Sequence, residues 1–195
     1  MEARMPQQPF LPGITLPTRP AETRNAREAL AAYPEMPTAD LCRYAKWLGA
    51  AAEMLVDALF MRLGERIFPA PEHERHDRVL MLPNGSPVRI QVKTRHTTNS
   101  SGDYVFNLKQ RSERGATGRG PYSAADFDIL AMVALPDMAV RFTADWQTRH
   151  TIYASEIPEL RRHPRASLDV ALMRLGHAHA IPGRADGPDC LDLAA

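Results

Sequence analysis

Three polar side chains with metal-binding or proton-transfer chemistry lie close together near the middle of this 195-residue chain. Asp77 opens one strand-like segment, and Gln91 and Lys93 lie two residues apart in the next. Side chains alternate between the two faces of a strand, so Gln91 and Lys93 share one face. An acid, an amide and an amine on neighbouring strands indicate a site for a metal ion and a reactive water. The plainer alternative is a half-buried hairpin with one solvated face.

The segments that carry these residues are predicted to form a β-hairpin around the turn-forming residues 83–86. With a two-residue turn, Asp77 would pair with Val92 and point away from the amide and the amine. Convergence of Asp77 with Gln91 therefore requires a three-residue loop, or a β-bulge near Asp77.

A long amphipathic helix is predicted before the hairpin. Residues 38–40 offer N-cap side chains, and Gly64 is a typical C-terminal stop. Apolar residues recur at steps of three and four over residues 41–63, which predicts a single helix of about six turns. Glu53 lies at the edge of this apolar stripe, where a partly shielded carboxylate can face a sheet; an ordinary boundary glutamate is the alternative.

The remaining elements follow from shorter patterns. Strands are predicted at residues 65–68, 103–108, 127–135, 139–143 and 151–153, and a helix at residues 167–175. Residues 1–37 contain seven of the seventeen prolines and predict a poorly ordered arm. The expected organisation is this arm, a core at residues 38–145, and a C-terminal extension at residues 146–195 that combines a short helix with a loose tail.

Composition favours a cytoplasmic globular protein. The chain is 44% hydrophobic and 24% charged, and no apolar run is long enough to span a membrane. An acid and a proline stand where a signal peptide would begin its apolar region, so secretion is not expected. Cys42 and Cys190 are far apart and are expected to be reduced.

Basic charge is concentrated in and after the hairpin. Residues 88–120 contain seven basic and two acidic side chains, whereas the net charge of the whole chain is only +1. Such a segment suits the phosphates of DNA, although a solvated loop is the alternative. The loop at residues 109–119 is expected to act as a phosphate clamp. The predicted DNA contacts are Arg95, Lys109, Arg111, Arg114 and Arg119.

The order of Glu53, Asp77 and the segment Gln91-Val92-Lys93-Thr94 resembles the PD-(D/E)XK nuclease superfamily. Gly49-x-x-x-Glu53 and the glutamine in place of the last acid resemble the branch that includes the group I intron homing endonuclease of this fold. The resemblance covers residues 41–140. It implies an α/β (α+β) fold with a restriction-endonuclease-like core, in which a helix is followed by a mixed β-sheet, here with an extra C-terminal helix.

Three features depart from that family pattern. His76 stands where the proline before the acid is expected, and Gln91 cannot supply a negative charge. The family's second core helix is not evident between Lys93 and Phe127.

The resemblance implies an Mg²⁺-dependent DNA endonuclease, with Mn²⁺ as a substitute ion. Asp77 would be the principal metal ligand, and the Gln91 side chain and the Val92 carbonyl would be neutral oxygen ligands. Lys93 would orient or deprotonate the attacking water, or stabilise the developing charge. Glu53 would act on a metal-bound water or at a second ion.

Several alternatives stay open at this stage. One is a catalytically silent nucleic-acid-binding module of the same fold, and another is an unrelated α+β protein. Asp126 and Asp128 are expected to have turn or capping roles, with support of the site as the alternative. His73 and His76 together with Asp77, and the pair His177 and His179, are weaker candidates for a transition-metal site. Assembly into a homo-oligomer is left open.

Overall fold

The structure is a computed structural model, and it describes residues 25–108 and 122–183. The chain divides into two compact units, Met1–Met36 and Pro37–Ala195. The described part of the first unit contains α1 (Ala26–Ala31). The described elements of the second unit are α2 (Thr38–Arg43), α3 (Ala45–Arg62), β1 (Arg66–Pro69), β2 (Arg78–Met81), β3 (Pro87–Arg95), β4 (Tyr104–Asn107), β5 (Ile129–Ala134), β6 (Ala139–Thr143), β7 (Arg149–Ile152), α4 (Ile157–Arg162) and α5 (Ala166–Arg174).

Five strands form a mixed sheet in the order β1-β2-β3-β5-β6. β3 and β5 run parallel, and the other neighbouring pairs in this sheet are antiparallel. β4 and β7 form a separate two-stranded antiparallel sheet. The fold is therefore α+β with a mixed sheet, and α3 precedes the meander β1-β2-β3, as predicted. The predicted C-terminal helix is α5, which packs against β6.

The sheet is covered on both faces. Buried residues recur every four positions along α3, from Leu48 to Phe60, and the Phe60 ring lies 5.2 Å from the Phe142 ring of β6. The opposite face packs against side chains of the β4–β7 sheet, including Phe106 and Ile152. All six residues of β5 are buried, which explains why that strand is a continuous apolar run in the sequence.

The single helix predicted over residues 41–63 is in fact two helices. Tyr44, with φ −98° and ψ 14°, ends α2 and precedes α3. The cap of α2 is Pro37, without a side-chain hydrogen bond, so the predicted cap residues lie inside the helix. The apolar residues still recur at steps of three and four across both helices, because only Tyr44 separates α2 from α3. Gly64 follows the end of α3 with φ 78°, as its role as a stop predicts.

The connection between the parallel strands β3 and β5 also differs from the family pattern. Its described residues contain β4 and no helix, so the second core helix is not found in that part of the connection. The short helix α4 was not predicted, because six residues are too few to show helical periodicity. Among the described helices, none combines the length and the apolar character needed to cross a bilayer.

A buried histidine on β7 predicts how the fold responds to acid. His150 is 9% exposed, and its Nε2 atom has no hydrogen-bond partner among the described residues. Burial lowers the pKa of His150 below its ordinary value of 6.5; a hydrogen bond to the main chain of Gln147 opposes this shift, and the charge of Arg141 adds to it. The unfolded chain therefore binds the proton first, and stability falls as the pH drops below about 6.5 toward the lowered pKa.

His150→Gln should reduce this acid sensitivity, since the amide does not titrate. The variant is expected to lose less unfolding free energy than wild type between pH 7 and pH 5, by an amount on the order of 1 kcal/mol. Urea unfolding at several pH values measures the difference. His163→Gln, at a side chain that is 57% exposed, is the matched control. Identical pH profiles for wild type and His150→Gln would contradict the prediction.

Candidate active site

The loop between β2 and β3 determines which residues of the two strands meet. The Leu82 N–H donates to the Ser86 carbonyl at 2.9 Å, so three residues, 83–85, form the loop. Gly85, the last of them, has φ 84°, a left-handed conformation that favours glycine. This is the odd-length loop that convergence of the polar residues on the two strands requires.

A β-bulge before β2 turns the Asp77 carboxylate toward β3. The Asp77 N–H donates to the Ile90 carbonyl at 2.9 Å, although Ile90 already lies opposite Arg78. Two residues of one strand therefore face a single residue of the other. Asp77 Oδ2 accepts the Val92 N–H at 2.7 Å, in the place of the main-chain carbonyl that a regular ladder would supply. The carboxylate is thus fixed where the two strands separate.

The Gln91 amide links this carboxylate to the main chain of β3. Gln91 Nε2 donates to Asp77 Oδ2 and, at 3.1 Å, to the Val92 carbonyl. Gln91 is only 4% exposed, so these partners rather than solvent fix its amide. One hydrogen-bonded group therefore contains the three expected oxygen ligands. This group, the Asp77 cluster, consists of the Asp77 carboxylate, the Gln91 amide and the Val92 carbonyl.

The carboxyl groups of Asp77 and Glu53 are both harder to ionise in the folded protein than in water. Burial is the main cause that raises the pKa of Asp77 above its ordinary value, while the Val92 N–H and the charge of Lys93 act in the opposite direction. Burial, followed by the negative charge of Asp77, also raises the pKa of Glu53, and Arg78 opposes that shift. Both carboxylates therefore resist ionisation, and a nearby cation would relieve the cost.

Arg78 connects α3 to the site. It donates to both carboxylate oxygens of Asp57, at 2.6 and 3.0 Å, and to Glu53 Oε2 at 3.0 Å. The Arg78 side chain is 12% exposed, and its hydrogen bonds to Asp57 are the main cause that raises its pKa. Glu53 therefore lies within electrostatic reach of Asp77, but its carboxylate is hydrogen-bonded to Arg78.

Lys93 is held by an aromatic residue from the segment before β5. Its Nζ atom donates to the Tyr122 hydroxyl at 2.7 Å and lies 4.7 Å from the ring centroid. The Tyr122 ring packs edge-on against Phe127, with the centroids 5.7 Å apart. Since the charge of Lys93 also acts on Asp77, Tyr122 fixes an ammonium group beside the Asp77 cluster.

The two acids before β5 have structural partners. Asp126 accepts the Ser123 N–H at 2.6 Å and pairs with Arg75 at 2.9 Å, which stabilises the turn. Asp128 accepts the main-chain N–H of Arg89 at 2.7 Å and two guanidinium hydrogen bonds from the same residue. The contacts of Asp126 agree with the predicted turn role. Those of Asp128 join the start of β5 to β3 instead, which was not predicted.

Of the predicted DNA contacts, Arg95 lies within the described part of the chain. Arg95 lies at the end of β3 and is half-buried. The clamp residues lie outside the described part of the chain, so their role stays a prediction: Lys109, Arg111, Arg114 and Arg119.

The histidine pairs at positions 73/76 and 177/179 do not form a metal-binding group, because the described residues contain no such group of three His, Cys, Asp or Glu side chains.

Three residues around the site had not been identified from the sequence: Asp57, Arg78 and Tyr122. Glu53 and Asp57 lie four positions apart on one helix, and this i, i+4 spacing of two acids is a signal for a shared cationic partner. Tyr122 offers no comparable signal, since it meets Lys93 from 29 residues further along the chain.

Comparison with known proteins finds a sequence relative and a structural neighbour of this chain. No family model matches the chain. Over 98 residues the chain is 33% identical to protein 5.3 of Escherichia phage T7, and the match covers 50% of this chain and 78% of that protein. A bacterial homing endonuclease, I-Ssp6803I, has a similar structure with a TM-score of 0.47 and 18% identity, over 55% of this chain and 76% of that one.

Proposed function

This chain belongs to the family of protein 5.3 of Escherichia phage T7, and from its site we propose that it is a PD-(D/E)XK endonuclease that hydrolyses phosphodiester bonds of DNA with Mg²⁺. The observation that carries the proposal is the Asp77 cluster, with its three potential oxygen ligands, next to the positioned ammonium of Lys93. DNA is the proposed substrate because residues 88–120 carry the basic excess of the chain.

The Asp77 cluster fits a hard divalent cation. Gln91 Nε2 donates to two oxygens, Asp77 Oδ2 and the Val92 carbonyl, so an electropositive group already lies between two oxygens of the kind that Mg²⁺ prefers. Rotation of the amide by half a turn would present Gln91 Oε1 as a third oxygen. The raised pKa of Asp77 supports the fit, because a cation stabilises the ionised carboxylate. When bound, the ion would polarise the phosphoryl group and a water molecule.

The protein's own side chains supply the rest of the chemistry. Asp77 and Gln91 would hold the ion against β3, where the buried Gln91 limits access of bulk water from that side. Lys93 donates hydrogen bonds, and it would donate to a phosphoryl oxygen or to the attacking water as negative charge develops. Tyr122 keeps that ammonium in place before substrate arrives, which lowers the cost of positioning it during reaction.

A nicking assay with purified protein tests the function. Supercoiled, linear, branched and single-stranded DNA are incubated with Mg²⁺, Mn²⁺, Ca²⁺ or a chelator. Cleavage is expected with Mg²⁺ and Mn²⁺ only, whereas Ca²⁺ should support binding without turnover because it tolerates looser geometry. DNA binding without cleavage on every substrate would favour the silent binding module over the enzyme.

Tyr122→Phe should slow cleavage without abolishing it. The variant keeps the ring over Lys93 but removes the hydroxyl that accepts its hydrogen bond. A hydrogen bond to a charged group contributes about 1.5 kcal/mol, so the single-turnover rate is expected to fall about tenfold.

The matched control for this prediction is Tyr104→Phe. The Tyr104 hydroxyl donates to Asp137 at 2.7 Å, so the control also loses a hydrogen bond to a charged partner. That change should lower stability and leave the cleavage rate of the folded protein unaltered. Equal loss of rate in both variants would show that the Tyr122 hydroxyl has no specific role in positioning Lys93.

A further inference from the structure

Arg78 is a nearly buried cation that lies among three acids. Its guanidinium is hydrogen-bonded to Asp57 at 2.6 and 3.0 Å and to Glu53 at 3.0 Å. The residue immediately before it is Asp77, whose carbonyl accepts a further guanidinium hydrogen bond at 2.9 Å. One positive side chain therefore contacts the two acids of α3 and the main-chain carbonyl of Asp77.

These contacts occupy three of the four carboxylate oxygens that α3 could offer to a second metal ion. A second divalent ion beside Asp77 requires free carboxylate oxygens from a neighbouring element, and α3 supplies the only such acids that contact Arg78 among the described residues. Both oxygens of Asp57 and Oε2 of Glu53 already accept hydrogen bonds from the guanidinium. The planar, permanently charged guanidinium makes these bonds in a fixed geometry that a mobile ion would have to displace.

We propose that Arg78 takes the place of a second metal ion, so that the centre binds one divalent ion, at Asp77, and Glu53 does not ligate it directly. This inference rests on the proposed metal-dependent function, and it adds the number of divalent ions that the site binds. Glu53 then acts as a positioning residue, because it orients Arg78, which pairs with its charge. A purely structural ion pair between α3 and β2 would leave the number of bound ions independent of Arg78.

Counting bound Mn²⁺ by equilibrium dialysis or electron paramagnetic resonance tests the proposal without any measurement of activity. Wild type should bind one ion per chain. Arg78→Gln should bind two, since the acids of α3 become available beside Asp77, while Arg78→Lys should bind one because its ammonium keeps a positive charge between those acids. Two ions in wild type, or one in folded Arg78→Gln, would overturn the inference.

Arg165→Gln is the matched control. Arg165 is also paired with two acids, Glu65 at 2.7 Å and Asp169 at 3.0 Å, but these lie in another part of the fold. The control therefore also frees two carboxylates, and it should still bind one ion. A second ion in this control would show that any pair of freed acids binds Mn²⁺, which would also overturn the assignment of Arg78.

A comparison of Glu53→Gln with Asp77→Asn tests the proposal even if Arg78→Gln fails to fold. Glu53→Gln retains an oxygen that accepts from Arg78, and its Mn²⁺ affinity should stay within about threefold of wild type, since its charge is already paired. Asp77→Asn should lower that affinity by about 100-fold or more. Equal losses in the two variants would overturn the inference and leave the proposed function intact, whereas wild type that binds no ion would overturn both.

Discussion

Lys93→Ala is expected to lower the rate of DNA cleavage by about 100-fold or more while leaving DNA affinity nearly unchanged. The ammonium is held beside the Asp77 cluster by Tyr122, so its loss removes a donor that acts on developing charge. Affinity for DNA depends on many phosphate contacts, and one amine contributes little to their sum. Single-turnover cleavage with Mg²⁺ and fluorescence-anisotropy binding with Ca²⁺ measure the two effects separately.

Lys46→Ala is the matched control for this prediction. Lys46 lies on α3 and is exposed, so its removal changes the net charge by the same amount without touching the site. Its cleavage rate should equal that of wild type. If Lys93→Ala and wild type cleave equally fast, the activity belongs to a contaminating nuclease or to another site.

Asp77→Asn is expected to abolish cleavage at any Mg²⁺ concentration and yet to stabilise the metal-free protein. The amide retains an oxygen for the Val92 N–H but removes the charge that would bind the ion. The pKa of Asp77 is raised, chiefly by burial, so the ionised carboxylate destabilises the fold above that raised pKa. The unfolding free energy of the variant should therefore exceed that of wild type at pH 7 when a chelator is present.

The sign of this stability difference can be checked by pH. The excess in unfolding free energy of Asp77→Asn should disappear as the pH falls toward 3.8, the ordinary pKa of an aspartate. At that pH the carboxyl of folded wild type is protonated, so it is neutral like the amide of the variant. Asp126→Asn is the control, since Asp126 bonds to Ser123 in its own turn and to Arg75 in the segment between β1 and β2, and not to Asp77 or Gln91. That control should cleave at a near-normal rate. An Asp77→Asn protein that still cleaves would exclude Asp77 as the principal ligand.

Loss of activity with a gain in stability is the expected signature of a site that holds buried acids for function. Burial raises the pKa of both Asp77 and Glu53, and the charge of Asp77 raises the pKa of Glu53 further. Ionisation of these carboxylates raises the free energy of the metal-free folded protein, and a bound cation would lower it. The combination of the two measurements therefore distinguishes a functional carboxylate from one that merely stabilises the hairpin.

The sequence alone determined the elements that depend on local periodicity. The strand at residues 139–143 has its predicted bounds, and the strand predicted at residues 127–135 contains β5 with two residues or fewer beyond either end. Alternation and apolar runs predict these strands because each is short and has a buried face. The requirement for an odd-length loop or a bulge also followed from strand parity, and the structure contains both features.

Only the tertiary structure decided the partners that come from distant parts of the chain. Arg78 meets Glu53 and Asp57 across 25 and 21 residues, and Tyr122 meets Lys93 across 29 residues. Local patterns place a residue on a helix face or a strand face, but a hydrogen bond between two elements depends on how those elements pack. The sequence therefore predicted which polar residues of the hairpin converge, whereas packing against α3 and the segment before β5 determined the ion-pair and hydrogen-bond partners of Glu53 and Lys93.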